Sequence, residues 1–143
     1  MALYIDWRDS FALVGYVLQR LALPFVAPLG LALVDGTDPL PFVIPGLVTL
    51  LVGTGLSRLA ADPELRARAA FLMVATTWLA VAVVAALPFL LTGTGVFANP
   101  INALFESMSG ITTTGATVVV NFDVHPRALM LWRQLIQWLG GLG

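Results

Sequence analysis

Three long apolar stretches and one shorter one divide this chain, and a polar, threonine-rich insert separates the last two. Residues 11–34 form 24 positions interrupted mainly by Gln19 and Arg20, more than the ~20 needed to cross a hydrocarbon core. Pro24 and Pro28 predict kinks in this first helix. Arg20 must face protein or snorkel toward an interface, because an arginine at mid-membrane is costly. A structural anchor and an electrostatic element near an ion path are both open to it. Residues 40–56 make a second, shorter span carrying Pro41, Pro45, Gly46, Gly53 and Gly55. Small residues let neighbouring helices approach closely, so this span is expected to pack against others. Residues 69–91 are the clearest span, 23 positions without a charge; Trp78 is expected to pack inside it and Pro88 to bend its outer end. Residues 128–143 begin another helix, but 16 residues reach only about 24 Å, short of the ~30 Å core. That pattern predicts a span cut short.

The polar connections set a topology. Residues 35–39 read as a turn, with Asp38 as a cap and Pro39 as the first residue of the next helix. Residues 57–68 hold Arg58, Arg66 and Arg68, and the positive-inside rule places them in the cytoplasm. The N-terminus is then cytoplasmic as well, and the 35–39 turn lies outside. In the lead before the first span, Tyr4 and Trp7 suit a membrane interface, or a frayed terminus with incidental aromatics.

The insert at 99–117 organises the rest. Asn99 can cap a short helix, Pro100 fits its first turn, and Gly110 is expected to end it. The following Thr112, Thr113, Thr114, Gly115, Ala116 and Thr117 hold four β-branched hydroxyl residues and one glycine free to take positive φ, a poor helix interior. A short helix followed by an extended Thr/Gly strand, set between membrane spans, is the layout of a re-entrant pore loop. Non-helical backbone at membrane depth survives only where protein buries it or where it lines a watery cavity. Carbonyl and threonine oxygens aimed at an axis can replace the water shell of a potassium ion. Ile101, Leu104, Phe105 and Met108 recur at helical spacing and are expected to pack.

Composition agrees with a membrane chain and removes other classes. Of 143 residues, 59% are hydrophobic and 10% charged, with a mean hydropathy of +0.93, where soluble domains carry about 25% charged residues. There is no cysteine and one histidine, so a disulfide framework, a thiolate site and a histidine metal cluster are all excluded. The net charge of −1 gives no general affinity for nucleic acid. No nucleophile–base set suggests an enzyme, and no cofactor is expected. Asp6 and Asp9 precede the first apolar run, which argues against a cleaved signal peptide.

Two runs carry a resemblance. Phe105-Glu106-Ser107-Met108-Ser109-Gly110-Ile111-Thr112-Thr113-Thr114-Gly115-Ala116-Thr117 resembles the first pore loop of the TrkH/KtrB potassium transporters. Leu131-Trp132-Arg133-Gln134-Leu135-Ile136-Gln137-Trp138-Leu139-Gly140-Gly141-Leu142-Gly143 resembles the helix that follows it. The resemblance covers roughly residues 69–143. It implies an all-α membrane protein with a re-entrant pore helix and a filter loop. Two leading spans would occupy 1–68, and the first, incomplete helix–loop–helix repeat of a pseudo-fourfold cation transporter would occupy 69–143. It implies potassium as the transported ion, bound by Thr113, Thr114 and Gly115 with Thr112 and Ala116 at the adjacent steps, and Glu106 and Gly110 as support. Implied partners are the lipid bilayer, the remaining pore repeats, a second copy of the full-length protein and a cytosolic nucleotide-binding regulatory subunit. The implied place is the inner cell membrane. The resemblance leaves potassium against sodium, and coupling to protons or sodium, open.

Several residues keep two readings. Glu106, a carboxylate at membrane depth, is a functional candidate; the reading preferred on physical grounds has it accept hydrogen bonds from backbone N–H groups behind the filter. Arg133 reads as an outer-interface snorkelling residue, or else as a barrier or gate. Trp132 and Trp138 suit an interface or packing. Gly140, Gly141 and Gly143 permit close helix contact. His125 reads as a solvated loop residue, with pH sensing as the alternative. The competing functions are a non-conducting membrane interaction protein and another pore-loop channel; a polar, non-helical loop at membrane depth argues against the former.

Overall fold

The first apolar stretch folds as one long helical run broken once. In the computed structural model residues 7–60 and 67–142 are described. The expectations for Tyr4, Arg66 and Gly143 lie outside the described residues, as does the side chain of Arg68. Helix α1 (Trp7–Leu21) passes through a 3-10 turn at Leu23–Phe25 into α2 (Val26–Asp35). Pro24 sits in that turn, where the helical hydrogen-bond ladder is interrupted. Pro28 is the third residue of α2, a place whose N–H has no partner within the helix. The two expected kinks therefore reduce to one. Gly36 ends α2 in the left-handed conformation, φ 65°, and the Asp38 carboxylate accepts from the Leu40 N–H at 2.9 Å, starting α3 (Leu40–Ser57).

Helix α4 (Ala67–Thr92) is followed by a 3-10 turn at Gly95–Ala98 and then by α5 (Pro100–Ile111). An irregular segment and a short 3-10 turn at Phe122–Val124 lead to α6 (Arg127–Leu142). Among the described residues three runs are long and apolar enough to cross a membrane: Trp7–Asp35, Leu40–Ser57 and Ala70–Thr92. Among the described residues there is no strand. The Thr/Gly segment expected to be extended is irregular instead, for a reason that its hydrogen bonds supply below.

Small residues set the closest helix pair. A Cβ on Gly15 would lie 2.5 Å from the Ser57 nitrogen, and one on Gly53 would lie 2.8 Å from the Gln19 nitrogen. Backbones of α1 and α3 therefore touch where these two glycines face each other. At the same crossing Gln19 donates to the Ser57 hydroxyl at 2.8 Å, which satisfies a polar side chain in an otherwise apolar helix.

Residues on either side of positions 61–66 share one core. Phe25, Ala32 and Phe42 pack with Phe89, Phe97 and Leu129. Trp132 stacks on Phe25 with ring centroids 4.2 Å apart, and its indole N–H donates to the Ala85 carbonyl at 3.0 Å. That bond makes a buried tryptophan acceptable and places α6 against α4. At one end of the molecule Arg127 pairs with Asp35 at 3.0 Å, so the turn after α2 and the start of α6 lie together. Trp78 is 36% exposed and lines a cavity between helices.

His125 departs from the solvated position expected of it. It is 7% exposed, shares a hydrogen bond with the Thr94 hydroxyl through Nδ1 at 2.8 Å and lies 4.9 Å from the Phe97 ring. The segment that leaves the loop thereby docks on the segment that precedes α5. Local sequence could not show this, because the two lie 31 residues apart.

Candidate functional site

Helix α5 is built to stop at mid-fold. The Asn99 side chain accepts from the Ile101 N–H at 2.9 Å, with Pro100 in the first turn, as a short capped helix requires. The Ser107 hydroxyl donates to the Ala82 carbonyl at 2.6 Å and ties α5 to α4. Gly110 does not end the helix as expected; α5 continues through Ile111. Its lack of a side chain serves packing instead, since a Cβ there would meet Ile136 of α6 at 2.6 Å. The chain turns at Thr113, which takes the left-handed conformation, φ 57°. That is uncommon for a β-branched residue and marks a constrained site. Gly115, as expected, also has positive φ, 75°.

The N–H groups of the loop close on the helix end. Thr112 donates to the Met108 carbonyl at 3.0 Å, Thr113 to Gly110 at 2.9 Å, and Thr114 and Gly115 to Ser109 at 3.0 and 3.5 Å. These bonds use orphan carbonyls of the last turn and explain why the segment is curled rather than extended. They also fix the other face of the loop. A trans peptide points its C=O opposite to its N–H, so the carbonyls of Thr112, Thr113 and Thr114 point away from the helix end. Among the described residues no donor bonds to them. Residues 112–117 are all exposed. The result is a short row of unpaired oxygens on an open surface at the C-terminal, partially negative end of α5.

Side chains behind the loop lock this shape. Ser109 donates to the Ala116 carbonyl at 2.6 Å. Ala116 is thus exposed but has its oxygen drawn back into the fold, unlike the three threonines. Thr112 donates to the Met108 carbonyl at 2.7 Å and shares a 2.8 Å bond with the Thr114 hydroxyl. Glu106 is 1% exposed and accepts from the Thr117 hydroxyl at 2.9 Å and from the Val118 N–H at 3.0 Å. Glu106 thus accepts from one side-chain hydroxyl and one backbone N–H of the segment after Gly115.

Arg133 supplies what the sequence did not disclose. Its guanidinium Nε donates to Glu106, and the pair is buried, with side-chain exposures of 12% and 1%. It does not snorkel to an interface. A carboxylate and a guanidinium 27 residues apart neutralise each other inside the fold, the condition under which buried charges are tolerated. The only local signal was that each, alone, is an expensive residue in an apolar segment. Gly140 of α6 completes the arrangement. A Cβ there would collide with the Ile111 carbonyl, so α6 crosses the end of α5 in direct backbone contact. Gly141 lies near the Thr113 methyl and Gly115 near the Gln137 amide.

The stripe on α5 expected to pack is largely uncovered. Ile101, Leu104 and Phe105 are exposed, while Ala103, Glu106, Ser107 and Gly110 form the buried face.

A half-helix stopped at mid-fold and a loop of outward carbonyls can be compared with known proteins. The model of the TrkH family, described as a cation transport protein, matches residues 41–143. The chain belongs to the TrkH family. The Trk system potassium uptake protein TrkH of Halomonas elongata is 39% identical, with 95% of this chain and 29% of that protein covered. TrkH of Vibrio parahaemolyticus is 35% identical over 97% of this chain and 29% of its own length. An uncharacterised cation transporter of Methanocaldococcus jannaschii is 35% identical over 73% of this chain and 22% of its own length. The crystal structure of the potassium transporter TrkH from Vibrio parahaemolyticus superimposes with a TM-score of 0.83 at 33% identity, covering 96% of this chain and 30% of that one. The chain thus spans less than a third of these TrkH relatives. The all-α membrane fold expected from the resemblance stands on this match.

Proposed function

We propose that this chain supplies one of four filter loops in a potassium uptake transporter. The observation that carries the reading is the row of carbonyls at Thr112, Thr113 and Thr114. Their N–H partners are committed to the end of α5, the three residues are exposed, and among the described residues no donor bonds to their oxygens. Such oxygens replace the hydration shell of a cation, and a ring of four loops surrounds it. Thr113 and Thr114 are the main ligands. Thr112 lies at the adjacent step, and Gly115 permits the backbone turn. Ala116 shapes the loop through Ser109 rather than offering a free oxygen. Glu106 and Arg133 hold the loop from behind. Potassium is the cargo; no other cofactor is needed by this reading.

The remaining loops come from the rest of a full-length TrkH-type chain, acting as a homodimer with a cytosolic nucleotide-binding regulator. The arginines of residues 57–68 orient the N-terminus to the cytoplasm, in the inner cell membrane. A non-conducting interaction protein would gain nothing from unpaired carbonyls held at membrane depth.

The test uses the full-length transporter carrying this segment, with rubidium and sodium uptake measured in a transport-deficient cell. Gly115→Ser adds a Cβ at φ 75°, a strain of about 1–3 kcal/mol. It is expected to lower the preference for potassium-like ions. Unaltered affinity and selectivity in Gly115→Ser, together with unaltered uptake in Thr114→Val, would remove this loop from the ion path.

A further inference from the structure

A cavity of about 270 Å³ lies between α1, α4 and the crossing of α5 with α6. Val81, Ile111 and Leu139 give it apolar walls, Trp78 and Arg20 stand at it, and Thr77 contributes the side chain that makes it unusual. The Thr77 hydroxyl is buried and has no hydrogen-bond partner. Threonines in helices ordinarily bond back to the carbonyl four residues earlier, and Thr76 and Thr92 of the same helix do so. Thr76 also reaches the Met73 carbonyl at 3.1 Å, the acceptor that Thr77 would use. A buried polar atom left over in this way calls for a partner.

Arg20 gives the second, independent observation. It is exposed, and among the described residues it has no ion-pair or hydrogen-bond partner. It lies 15 residues before Asp35 along the α1–α2 run, or about 22 Å at 1.5 Å per residue, within a hydrocarbon core ~30 Å thick. Helical side chains lean toward the N-terminus, so its guanidinium reaches for the headgroups of the leaflet on that side. The neighbours one turn away on the same helical run are apolar and exposed, Tyr16 before it and Leu23 after it. An unpaired cation in a run apolar enough to cross a membrane calls for an anion that carries hydrocarbon.

We propose that this cavity is a binding site for an anionic phospholipid, its phosphate held by Arg20, an ester oxygen by the Thr77 hydroxyl, and one acyl chain lying in the cavity against Ile111 and Leu139. Basic pockets between membrane helices take such headgroups. The site abuts Ile111, the last residue of α5, so occupancy bears on the end of the helix that carries the loop. The proposal rests on membrane insertion, not on the potassium reading, and it is read out by lipid rather than by transport.

The experiment uses a full-length TrkH-family protein carrying this segment, reconstituted in phosphatidylcholine with a minority of phosphatidylglycerol. Retained lipid is measured by native mass spectrometry, and contacts by a phosphatidylglycerol with a photoreactive acyl chain. Phosphatidylglycerol is expected to be retained selectively, with label on the peptides containing Val81, Ile111 and Leu139. Arg20→Gln is expected to cut retention about fivefold, the factor that one basic side chain near an anionic headgroup supplies, while Arg20→Lys keeps most of it. Thr77→Val is expected to reduce retention with the thermal melt unchanged. Equal retention in wild type and Arg20→Gln overturns the site, and a lowered melting temperature alongside it would assign Arg20 to a carboxylate elsewhere in the full-length chain. Should Arg20→Gln fail to fold, the wild-type label map decides: label absent from all three peptides overturns the proposal.

Discussion

Glu106 joins three elements through one carboxylate, and that makes it the most sensitive single residue of the site. It accepts from Thr117, Val118 and Arg133. Glu106→Gln keeps the shape but removes the charge, leaving the Arg133 guanidinium buried without its counter-ion. Removing one partner of a buried pair costs about 3–5 kcal/mol, and the expected result in the full-length protein is a lower melting temperature and loss of ion selectivity. Pairing it with Arg133→Met removes the stranded charge. The double variant should therefore melt higher than Glu106→Gln alone; a purely additive cycle would mean that the two charges do not act on each other. His125 is the residue for a pH measurement. Burial lowers its pKa below the ordinary histidine value, opposed by the weaker attraction of Glu106. The unfolded chain then binds more protons than the native one in the window below about 6.5. Stability is full above that value and falls as the pH drops through the window toward the lowered native pKa. His125→Asn should flatten the difference between melts at neutral and at mildly acidic pH; an unchanged pH slope would show that His125 is not its source.

At the scale of elements, close backbone approach decides where the loop sits. Helix α6 reaches α5 through Gly140, where a Cβ would meet the Ile111 backbone, and through Gly110, where it would meet the end of the Ile136 side chain. Gly140→Ala sets a methyl against a backbone carbonyl that cannot swing aside, so overpacking of about 1–3 kcal/mol is expected. In the full-length transporter proposed above, the displaced α5 terminus should weaken ion selectivity more than Gly55→Ala, whose Cβ meets nothing within 4 Å. Equal effects of the two substitutions on melting and selectivity would contradict the crossing.

The elements also show what a sequence discloses. The spans, the Asn99 cap and the positive φ of Gly115 follow from composition, local capping and local sterics, and all were legible. The role of Gly110 is not legible locally, because a glycine near a helix end suits both a terminus and a close crossing, and only Ile136 decides between them. Thr113 takes a left-handed turn against its own preference because the helix-end carbonyls draw four successive N–H groups inward. The Glu106–Arg133 pair and the His125–Thr94 bond join residues 27 and 31 positions apart. No local rule reaches that far.

For the whole molecule, the faces left open argue for what the chain joins. The outward stripe of α5 keeps Ile101, Leu104 and Phe105 exposed beside the open loop. The chain covers 29–30% of the length of its TrkH relatives from Halomonas and Vibrio. A cation leaving water needs oxygens on every side, and the loop described here presents oxygens from one. The 143-residue chain, reconstituted alone in liposomes, is therefore expected to give no rubidium uptake above protein-free vesicles, whereas a full-length relative in the same vesicles should load the ion. Its topology is nevertheless expected to be set locally. The Asp35–Arg127 pair already holds the α2 turn and the start of α6 at one end. Cysteines placed at Asp35 and Asp123 should label from one side of the membrane, and one at Asp62 from the other. Labelling of all three from the same side would reject the orientation, and robust rubidium uptake by the short chain would show that copies of it close a filter by themselves.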